Sequence, residues 1–331
     1  MATIKQIAEL CGISPSAVSR VLNYDETLRV ADSTRKRIFE AAESLAYEPR
    51  TKNRRQSAWK VGLCYSYSLE EELQDTYYLS MRLALEQHLK VRGFKSRRIA
   101  KDARPEAALG LDAVVCLGLF FPQDIEVVRR FHKPLCFLDS SPPGDDVDSV
   151  VIEYGQATLQ ALDCLLALGH RKIGFIGGID TDLHGRPRDD VRHATFAEHL
   201  GGRGLFRPDW VKRGAYTPAA GHRHMGELMA GADRPTAVFV ANDDLAIGCY
   251  KACSEKGLRI PADVSLVGFN DIAQAQFLVP PLTSVHLYIQ YMGEAAVELV
   301  DERLRTARTI GKRVIIPTRL MQRESASPPH P

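Results

Sequence analysis

Apolar residues recur at helical spacing in three short segments near the N-terminus. The first segment ends at Gly12, and the second begins two residues later at Ser14 and Pro15, which are favoured at a helix N-cap and first turn. The third covers residues 32–47. The positions predicted to face the interior are Ile4, Ile7, Ala8 and Cys11, then Ala17, Val18, Val21 and Leu22, then Ile38, Ala41, Ala42 and Leu45. Three amphipathic helices that cover one another predict a small all-α domain.

The second predicted helix keeps small polar residues and one arginine on its outer face: Ser16, Ser19, Arg20 and Asn23. Small side chains let a helix approach base edges, and Arg20 can give two hydrogen bonds to a guanine. Two helices joined by a tight turn are typical of a helix-turn-helix domain, whose second helix lies in the DNA major groove. A solvated helix of a small bundle is the alternative that periodicity alone leaves open.

After residue 60 the pattern changes to short apolar runs, such as "DAVVCLG" and "KIGFIGG", that alternate with amphipathic helices. This alternation predicts α/β structure with parallel sheets covered on both faces. Because roughly 260 residues exceed what one core usually covers, we expect two doubly wound sub-domains with a cleft between them. The predicted division is a headpiece 1–49, a basic linker 50–60, a core 61–323 made of sub-domains 61–154 plus 287–323 and 155–286, and a tail 324–331.

Polar residues stand where several predicted strands end, at Ser66, Asp139, Asn242-Asp243 and Asn270-Asp271. Any one of them suits the cap of the next helix, which is the plainer interpretation. In parallel α/β sheets, however, ligands bind beyond the carboxyl ends of the strands. Four such ends favour a polyol-binding cleft, because sugar hydroxyls need both donors and acceptors.

Composition is that of a soluble, multi-domain protein: 331 residues, 45% hydrophobic and 25% charged. No signal sequence or long apolar span is evident, so a cytoplasmic location without membrane contact is expected. The seven cysteines lie mostly in apolar runs and predict buried thiols. Residues 1–60 hold eleven Lys and Arg against seven Asp and Glu, and "RTKNRRQSAWK" (50–60) has five basic residues and no acid. Basic charge therefore concentrates where phosphate contact is expected.

The motifs "TIKQIAELCGISPSAVSRVLN" and "STRKRIFEAAESLAYEP" resemble the DNA-binding headpiece of the lac repressor family (LacI/GalR). The resemblance implies a homodimer that reads a pseudo-palindromic operator in double-stranded DNA. By position, Pro15, Ser16 and Arg20 would read bases, and Ser14, Ser19 and Asn23 would position the helix or touch phosphate. The resemblance also assigns phosphate or minor-groove contacts in the linker to Arg50, Arg54, Arg55 and Gln56. Gln56 departs from the family, which usually carries a leucine wedge there.

The resemblance continues through the core in "ALGHRKIGFIGG", "VFVANDDLAIG" and "GLRIPADVSLVGFND". It implies a periplasmic-binding-protein-like effector domain in which a sugar inducer, a galactoside or related sugar, changes the angle between the sub-domains. The inducer contacts carried over by position are Ser66, Asp139, Arg192, Tyr216, Asn242 and Asn270. Arg192 would grip ring hydroxyls, and Tyr216 would offer an aromatic face. Asn270 stands where many family members have Asp.

Two other classes compete with a sugar-responsive repressor. An enzyme would need a catalytic motif, and the chain has no GxSxG elbow, phosphate loop or GxGxxG after a strand. No cofactor is predicted. No metal site is predicted either: "DTDLHG" (180–185) resembles the opening of a calcium loop, but the twelfth position of that loop is Val191 instead of the Glu that binds calcium through both oxygens. A secreted sugar-binding protein would need a signal sequence and would have no use for the first 60 residues. The alternative that stays open is a cytoplasmic sugar-binding protein or enzyme of the same core fold without operator specificity.

Overall fold

The computed structural model describes residues 3–22, 28, 30–45, 47, 58–68, 72, 76–181 and 186–330. They belong to two compact units, residues 1–57 and residues 58–331.

The N-terminal unit contains the helices α1 (Ile4–Cys11), α2 (Pro15–Leu22) and α3 (Asp32–Ser44). A capping box starts α1: the Thr3 hydroxyl accepts from the N–H of Gln6, and the Gln6 side chain accepts from the N–H of Thr3. Gly12 ends α1 with φ of 63°, a left-handed conformation that favours glycine. The Ile13 N–H then donates to the carbonyl of Ala8 at 3.0 Å, which closes the tight turn into α2.

A single apolar cluster holds these three helices together. Its buried members are Ile7, Ala8, Cys11, Val18, Val21, Ile38, Ala41 and Ala42. All eight belong to the interior positions predicted from helical spacing. Outside the cluster, the Arg37 guanidinium donates to the Cys11 carbonyl at 2.9 Å, which ties α3 to the end of α1.

The second unit begins with a six-stranded parallel sheet. In spatial order its strands are β11 (Arg313–Ile316), β5 (Asp148–Ile152), β4 (Leu135–Leu138), β3 (Ala113–Leu117), β1 (Lys60–Tyr65) and β2 (Lys95–Ile99). The central strands are continuous apolar runs that are buried along their whole length, as both faces of the sheet are covered. The helices α4 (Thr76–Val91), α5 (Pro122–Arg129) and α10 (Ile289–Thr306) complete this first sub-domain.

A second sheet of six strands follows the same plan. Its order is β12 (Thr318–Met321), β10 (Thr283–Leu287), β9 (Ser265–Asn270), β8 (Ala237–Val240), β6 (Ile173–Gly178) and β7 (Val211–Gly214). Its helices are α6 (Tyr154–Ala167), α7 (Val191–Gly201), α8 (Pro218–Leu228) and α9 (Asp243–Glu255). Five strands are parallel, and β12 pairs antiparallel with β10 at the edge. The predicted fold class, a helical headpiece with two doubly wound sub-domains, is confirmed.

The chain passes between the sub-domains after β5, after β10 and after β11. The third passage corrects the expected boundary, because β12 joins the second sheet and residues 318–323 therefore leave the first sub-domain. The C-terminal segment expected to be a tail also packs there. Ser325 is fully buried, and its carbonyl accepts from the Leu266 N–H at 2.8 Å. No helix among the described residues combines the length and apolar character that a bilayer crossing requires.

Candidate functional site

The N-terminal unit presents one polar face of α2 to solvent. Ser14, Pro15, Ser16 and Arg20 are exposed, and Ser19 is half-buried. The Ser14 hydroxyl accepts from the Ala17 N–H at 3.3 Å and so caps the helix it precedes.

The opposite face of α2 is anchored by Val18 and Val21, which are 0% and 1% exposed. A helix held this way keeps its small polar face outward, as entry into a DNA groove requires. Five further predicted DNA contacts lie outside the described residues: Asn23, Arg50, Arg54, Arg55 and Gln56.

In the second unit a cavity of about 250 Å³, the inner cavity, lies between the carboxyl ends of the two sheets. Five of the six side chains predicted to contact an effector line it: Asp139, Arg192, Tyr216, Asn242 and Asn270. Asp139 follows β4 of the first sheet, and the other four belong to the second sub-domain. A ligand in the inner cavity would therefore touch both sub-domains.

Ser66, the sixth predicted residue, does not line the inner cavity. Its N–H donates to the Leu117 carbonyl at 3.0 Å, and its own carbonyl accepts from the Lys101 ammonium at 3.1 Å. Its hydroxyl lies against Gly118, where a Cβ would stand only 2.3 Å from it. The expectation from the strand end fails here because the chain turns Ser66 toward β3 instead of the cleft.

Asp139 is a buried acceptor in the wall of the inner cavity. It follows β4 with φ of 79°, a strained conformation that Asp tolerates better than most residues. Its Oδ1 accepts hydrogen bonds from the Tyr77 hydroxyl at 2.9 Å and the Tyr154 hydroxyl at 2.7 Å. Burial raises the pKa of Asp139 to about 6, against the opposing effect of the two phenols and of Arg192. Because both phenols use Oδ1, Oδ2 is the acceptor that the described residues leave for a ligand.

Arg192 is held rigidly on the other side of the cavity. Its Nε donates to both carboxylate oxygens of Asp190 at 3.0 and 3.1 Å, and its Nη1 donates to the Ala241 carbonyl at 2.7 Å. Its Nη2 donates to the Tyr216 hydroxyl at 2.6 Å and lies 2.9 Å from Asp190 Oδ2. Burial disfavours both charges, but each stabilises the other, so the pKa of Asp190 is lowered and that of Arg192 is raised. A guanidinium has five N–H donors, and these bonds leave one on Nη1 for a ligand.

Three aromatic rings surround the Arg192 guanidinium. Its central carbon lies 5.3 Å from the ring centre of Tyr216 and 5.5 Å from those of Tyr154 and Phe269. Cation–π contacts of this kind fix the plane of the guanidinium. The Tyr216 ring reaches its place because Gly178 ends β6; a Cβ there would lie 2.1 Å from the ring.

Asn242 and Asn270 bring amide groups to the cavity from neighbouring strands. Asn242 also caps α9, since its Oδ1 accepts from the Leu245 N–H at 2.8 Å. The cap uses the amide oxygen, so the NH₂ group is the part of Asn242 available to the cavity. Asn270 ends β9 with φ of 103°, a second strained position at this edge.

Asp243 fixes the turn that carries Asn270. Its buried carboxylate accepts from the N–H groups of Phe269 and Ile272, both at 2.9 Å, and from the Ser284 hydroxyl at 2.8 Å. Three hydrogen bonds on one carboxylate span both sides of Asn270 and set its position.

Sequence reasoning missed Asp190, Tyr77 and Tyr154, which hold the predicted residues in place. Asp190 could have been found, because it is the N-cap of α7 and stands two residues before Arg192. Tyr77 and Tyr154 lie at helix starts, where the sequence does not distinguish them from aromatic residues of the core.

Among the described residues that line the inner cavity, acidic groups outnumber basic ones. The acids are Asp139, Glu153, Asp180, Asp189 and Asp190, and the bases are Arg188, Arg192 and Arg313. This excess disfavours phosphorylated or carboxylate ligands and suits a neutral polyol. Within the described ranges, no cluster of His, Cys, Asp and Glu has the arrangement of a metal site.

Comparison with known proteins finds a matching family model for the N-terminal unit and another for the core that contains the inner cavity. A family model described as "Bacterial regulatory proteins, lacI family" matches residues 3–50, and one described as "Periplasmic binding protein-like domain" matches residues 162–326. The transcriptional regulator GalR of Lacticaseibacillus casei is 34% identical over 330 residues, covering 98% of this chain and 100% of the relative. The chain belongs to the lacI family. As a lacI-family member it is a helix-turn-helix transcription regulator and not an enzyme.

Further relatives agree with this assignment. The regulator GanR of Bacillus subtilis is 35% identical over 334 residues, covering 98% of this chain and 99% of the relative. Among solved structures, a CelR–cellobiose complex matches with a TM-score of 0.71 at 26% identity, covering 98% of this chain and all of the other. The lac repressor dimer bound to operator and an anti-inducer shares the fold, with a TM-score of 0.69 at 23% identity and coverage of 98% and 99%.

Proposed function

We propose that this lacI-family regulator is a homodimeric repressor whose inner cavity binds a neutral sugar of the galactoside class as inducer. Pro15, Ser16 and Arg20 read operator bases, while Ser14 and Ser19 position α2. Asn23 positions α2 or touches phosphate, and the linker residues Arg50, Arg54, Arg55 and Gln56 contact phosphates or the minor groove. The effector contacts are Asp139, Arg192, Tyr216, Asn242 and Asn270.

One observation carries the sugar part of this proposal: Asp139 and Arg192 line one cavity from opposite sub-domains. Asp139 Oδ2 accepts from a sugar hydroxyl, and the remaining Arg192 N–H and the Asn242 amide donate to others. The Tyr216 ring faces the apolar side of the sugar. The named ligand of the CelR complex, cellobiose, supports a sugar as the class of effector.

The same geometry explains how a sugar acts on DNA binding. A ligand shifts a conformational equilibrium only through its different affinities for the two states. A sugar that contacts both sub-domains stabilises the arrangement in which both sets of contacts are made. In this arrangement the headpieces bind the operator more weakly, so the sugar acts as an inducer.

A thermal-shift screen tests the effector class. Galactose, lactose, melibiose and raffinose are compared with their phosphate esters, a purine and an amino acid. We expect a neutral sugar to raise the melting temperature and its phosphate ester to give a smaller rise, because the cavity lining is acidic. Stabilisation by the purine or amino acid alone would contradict the sugar assignment and leave only the regulator assignment.

A further inference from the structure

A side-chain hydrogen bond joins the two sub-domains away from the three chain passages. The Thr76 hydroxyl, at the first residue of α4 in the first sub-domain, donates to Asp244 Oδ2 at 3.1 Å. Asp244 lies in the first turn of α9, which belongs to the second sub-domain. Neither residue lines the inner cavity. The pair therefore links the sub-domains without forming part of the proposed sugar site.

The local structure of α9 does not explain why the Asp244 carboxylate is buried. The residue is 5% exposed, and burying a carboxylate is costly unless it is paired or hydrogen-bonded. Asn242 already caps α9 by accepting from the Leu245 N–H, and the neighbouring Asp243 makes its hydrogen bonds within the second sub-domain. Among the described residues, the hydrogen-bond partner of Asp244 is Thr76, from the other sub-domain.

The Asp244 carboxylate lies between the N-termini of two helices from opposite sub-domains. It belongs to the first turn of α9 and contacts the first residue of α4. Burial raises the pKa of Asp244, and hydrogen bonds from the hydroxyl and N–H of Thr76 oppose this rise. A helix N-terminus carries a partial positive charge from its unpaired N–H groups. The carboxylate therefore attracts both helix ends and offsets the repulsion between them.

Both residues of the pair are close in sequence to side chains of the inner cavity. Tyr77 follows Thr76 and donates to Asp139 at 2.9 Å. Asn242 stands two residues before Asp244 and lines the cavity. A change in the distance between Asp139 and Asn242 across the cavity therefore also moves Thr76 relative to Asp244. Because a hydrogen bond weakens steeply when its geometry is bent, such a movement makes or breaks the pair.

We propose that Asp244 is a positioning residue whose hydrogen bond with Thr76 holds the sub-domains in one of two arrangements and so sets the balance between an operator-binding form and a sugar-binding form. This rests on the proposed function and specifies how the two forms are balanced. A contact made in only one form shifts the equilibrium between them without touching either ligand. Loss of one hydrogen bond should change that equilibrium constant by about 3- to 10-fold.

Operator and sugar affinities of the full-length protein test the proposal together. Fluorescence anisotropy gives the affinity for a footprinted operator duplex without sugar. Titration calorimetry gives the affinity for galactose, lactose or melibiose, whichever binds the wild-type protein, without DNA. For two forms that each bind one ligand, the ratio of these affinities is proportional to the equilibrium constant between the forms. Thr76→Val keeps the branched shape but removes the donor, so the ratio should change about 3- to 10-fold and the two affinities should not fall together.

Further variants separate the bond from other effects. Thr76→Ser keeps the hydroxyl and should give the wild-type ratio. Thr306→Val makes the same change at an exposed position of α10, where the hydroxyl donates to the Glu302 carbonyl of the same helix, and should change neither affinity. Thr76→Val/Asp244→Asn should shift the ratio by less than the two single variants combined, because both changes act on one bond. Circular dichroism confirms that each variant is folded.

The outcomes separate this inference from the proposed function. An unchanged ratio in folded Thr76→Val, an equal shift in Thr76→Ser, or a parallel loss of both affinities would overturn the role of Asp244 while a sugar-released repressor stands. Binding of no sugar by the wild-type protein would contradict the proposed function, and this role of Asp244 with it.

Discussion

Arg192 and Asp190 form a buried ion pair, with 2.9 Å between Nη2 and Oδ2, and the Tyr216 hydroxyl bonds to both partners. Tyr216 donates to Asp190 Oδ2 at 2.8 Å and accepts from Arg192. The three side chains therefore form one closed network at the wall of the inner cavity. It keeps the guanidinium charged and oriented before any ligand arrives.

Removing one partner of this pair should cost more than removing both. Asp190→Ala leaves the Arg192 charge buried and uncompensated, which should lower the free energy of unfolding by about 3–5 kcal/mol. The double variant Asp190→Ala/Arg192→Ala should be more stable than the two single effects added together predict. Urea unfolding of the four proteins gives the coupling, and strict additivity would show that the pair is not the unit described.

Sugar affinity should depend on pH through Asp139. The pKa of this carboxyl is raised to about 6 by burial, so it is largely ionised at pH 7.5 and largely protonated at pH 5. A hydroxyl donated to Oδ2 favours the ionised form, so affinity should rise with pH through about 6 and level off above about 7. Calorimetry between pH 5 and 8 measures this. Asp139→Asn should flatten the rise, and a wild-type affinity that falls with pH would contradict the assigned acceptor role.

The Asp243 carboxylate should be a large contributor to stability near the cavity. Asp243→Ala leaves two buried N–H groups and one hydroxyl without their acceptor, which should destabilise the protein by about 3 kcal/mol. Because the turn around Asn270 loosens, sugar affinity should fall too. Asp163→Ala is the matched control: its carboxylate is 63% exposed and meets His199 at 3.2 Å on the surface, so its loss should be nearly neutral. Equal effects of the two variants would contradict the role of Asp243 in positioning Asn270.

On the headpiece, Arg20 should read a base and not merely add charge. Arg20→Ala should weaken operator binding by about 1–3 kcal/mol and relax preference at one base pair of each half-site. Arg20→Lys keeps the charge but loses the two-pronged donor geometry, so it should retain affinity for random DNA and lose the base preference. Binding of operator and scrambled DNA by fluorescence anisotropy separates these effects. Full specificity in the lysine variant would assign Arg20 to phosphate.

The sequence allowed most of the fold to be predicted, because apolar periodicity reflects which face of each element is buried. The spacing of Ile7, Val18 and Ile38 identified the core of the headpiece before any coordinates. Residues 318–323, which include β12, were expected in the first sub-domain, and that prediction is wrong. The pairing of β12 with β10 is a tertiary contact, which a short apolar run in the sequence does not reveal.

Prediction of the cavity was uneven for a similar reason. Asn242 both caps α9 and lines the cavity, so the plain and the functional interpretations of that strand end hold together. Ser66 stood at an equivalent strand end but is turned toward β3. The supporting residues Tyr77 and Tyr154 act through side-chain geometry across the cleft, which spacing along one chain does not reveal.

The most direct test of a sugar-released repressor is a footprint on the DNA next to its own gene, repeated with increasing galactose, lactose or melibiose. The wild-type protein should protect a pseudo-palindromic site. A sugar that binds the core should lower the affinity for this site by roughly 5- to 150-fold, the usual range of allosteric coupling, and so remove the protection. The double variant Asp190→Ala/Arg192→Ala, which strands no buried charge, should protect the same site and fail to release it. No preference for any site over random DNA at moderate salt, or protection that persists when the bound sugar saturates the core, would contradict a sugar-released repressor.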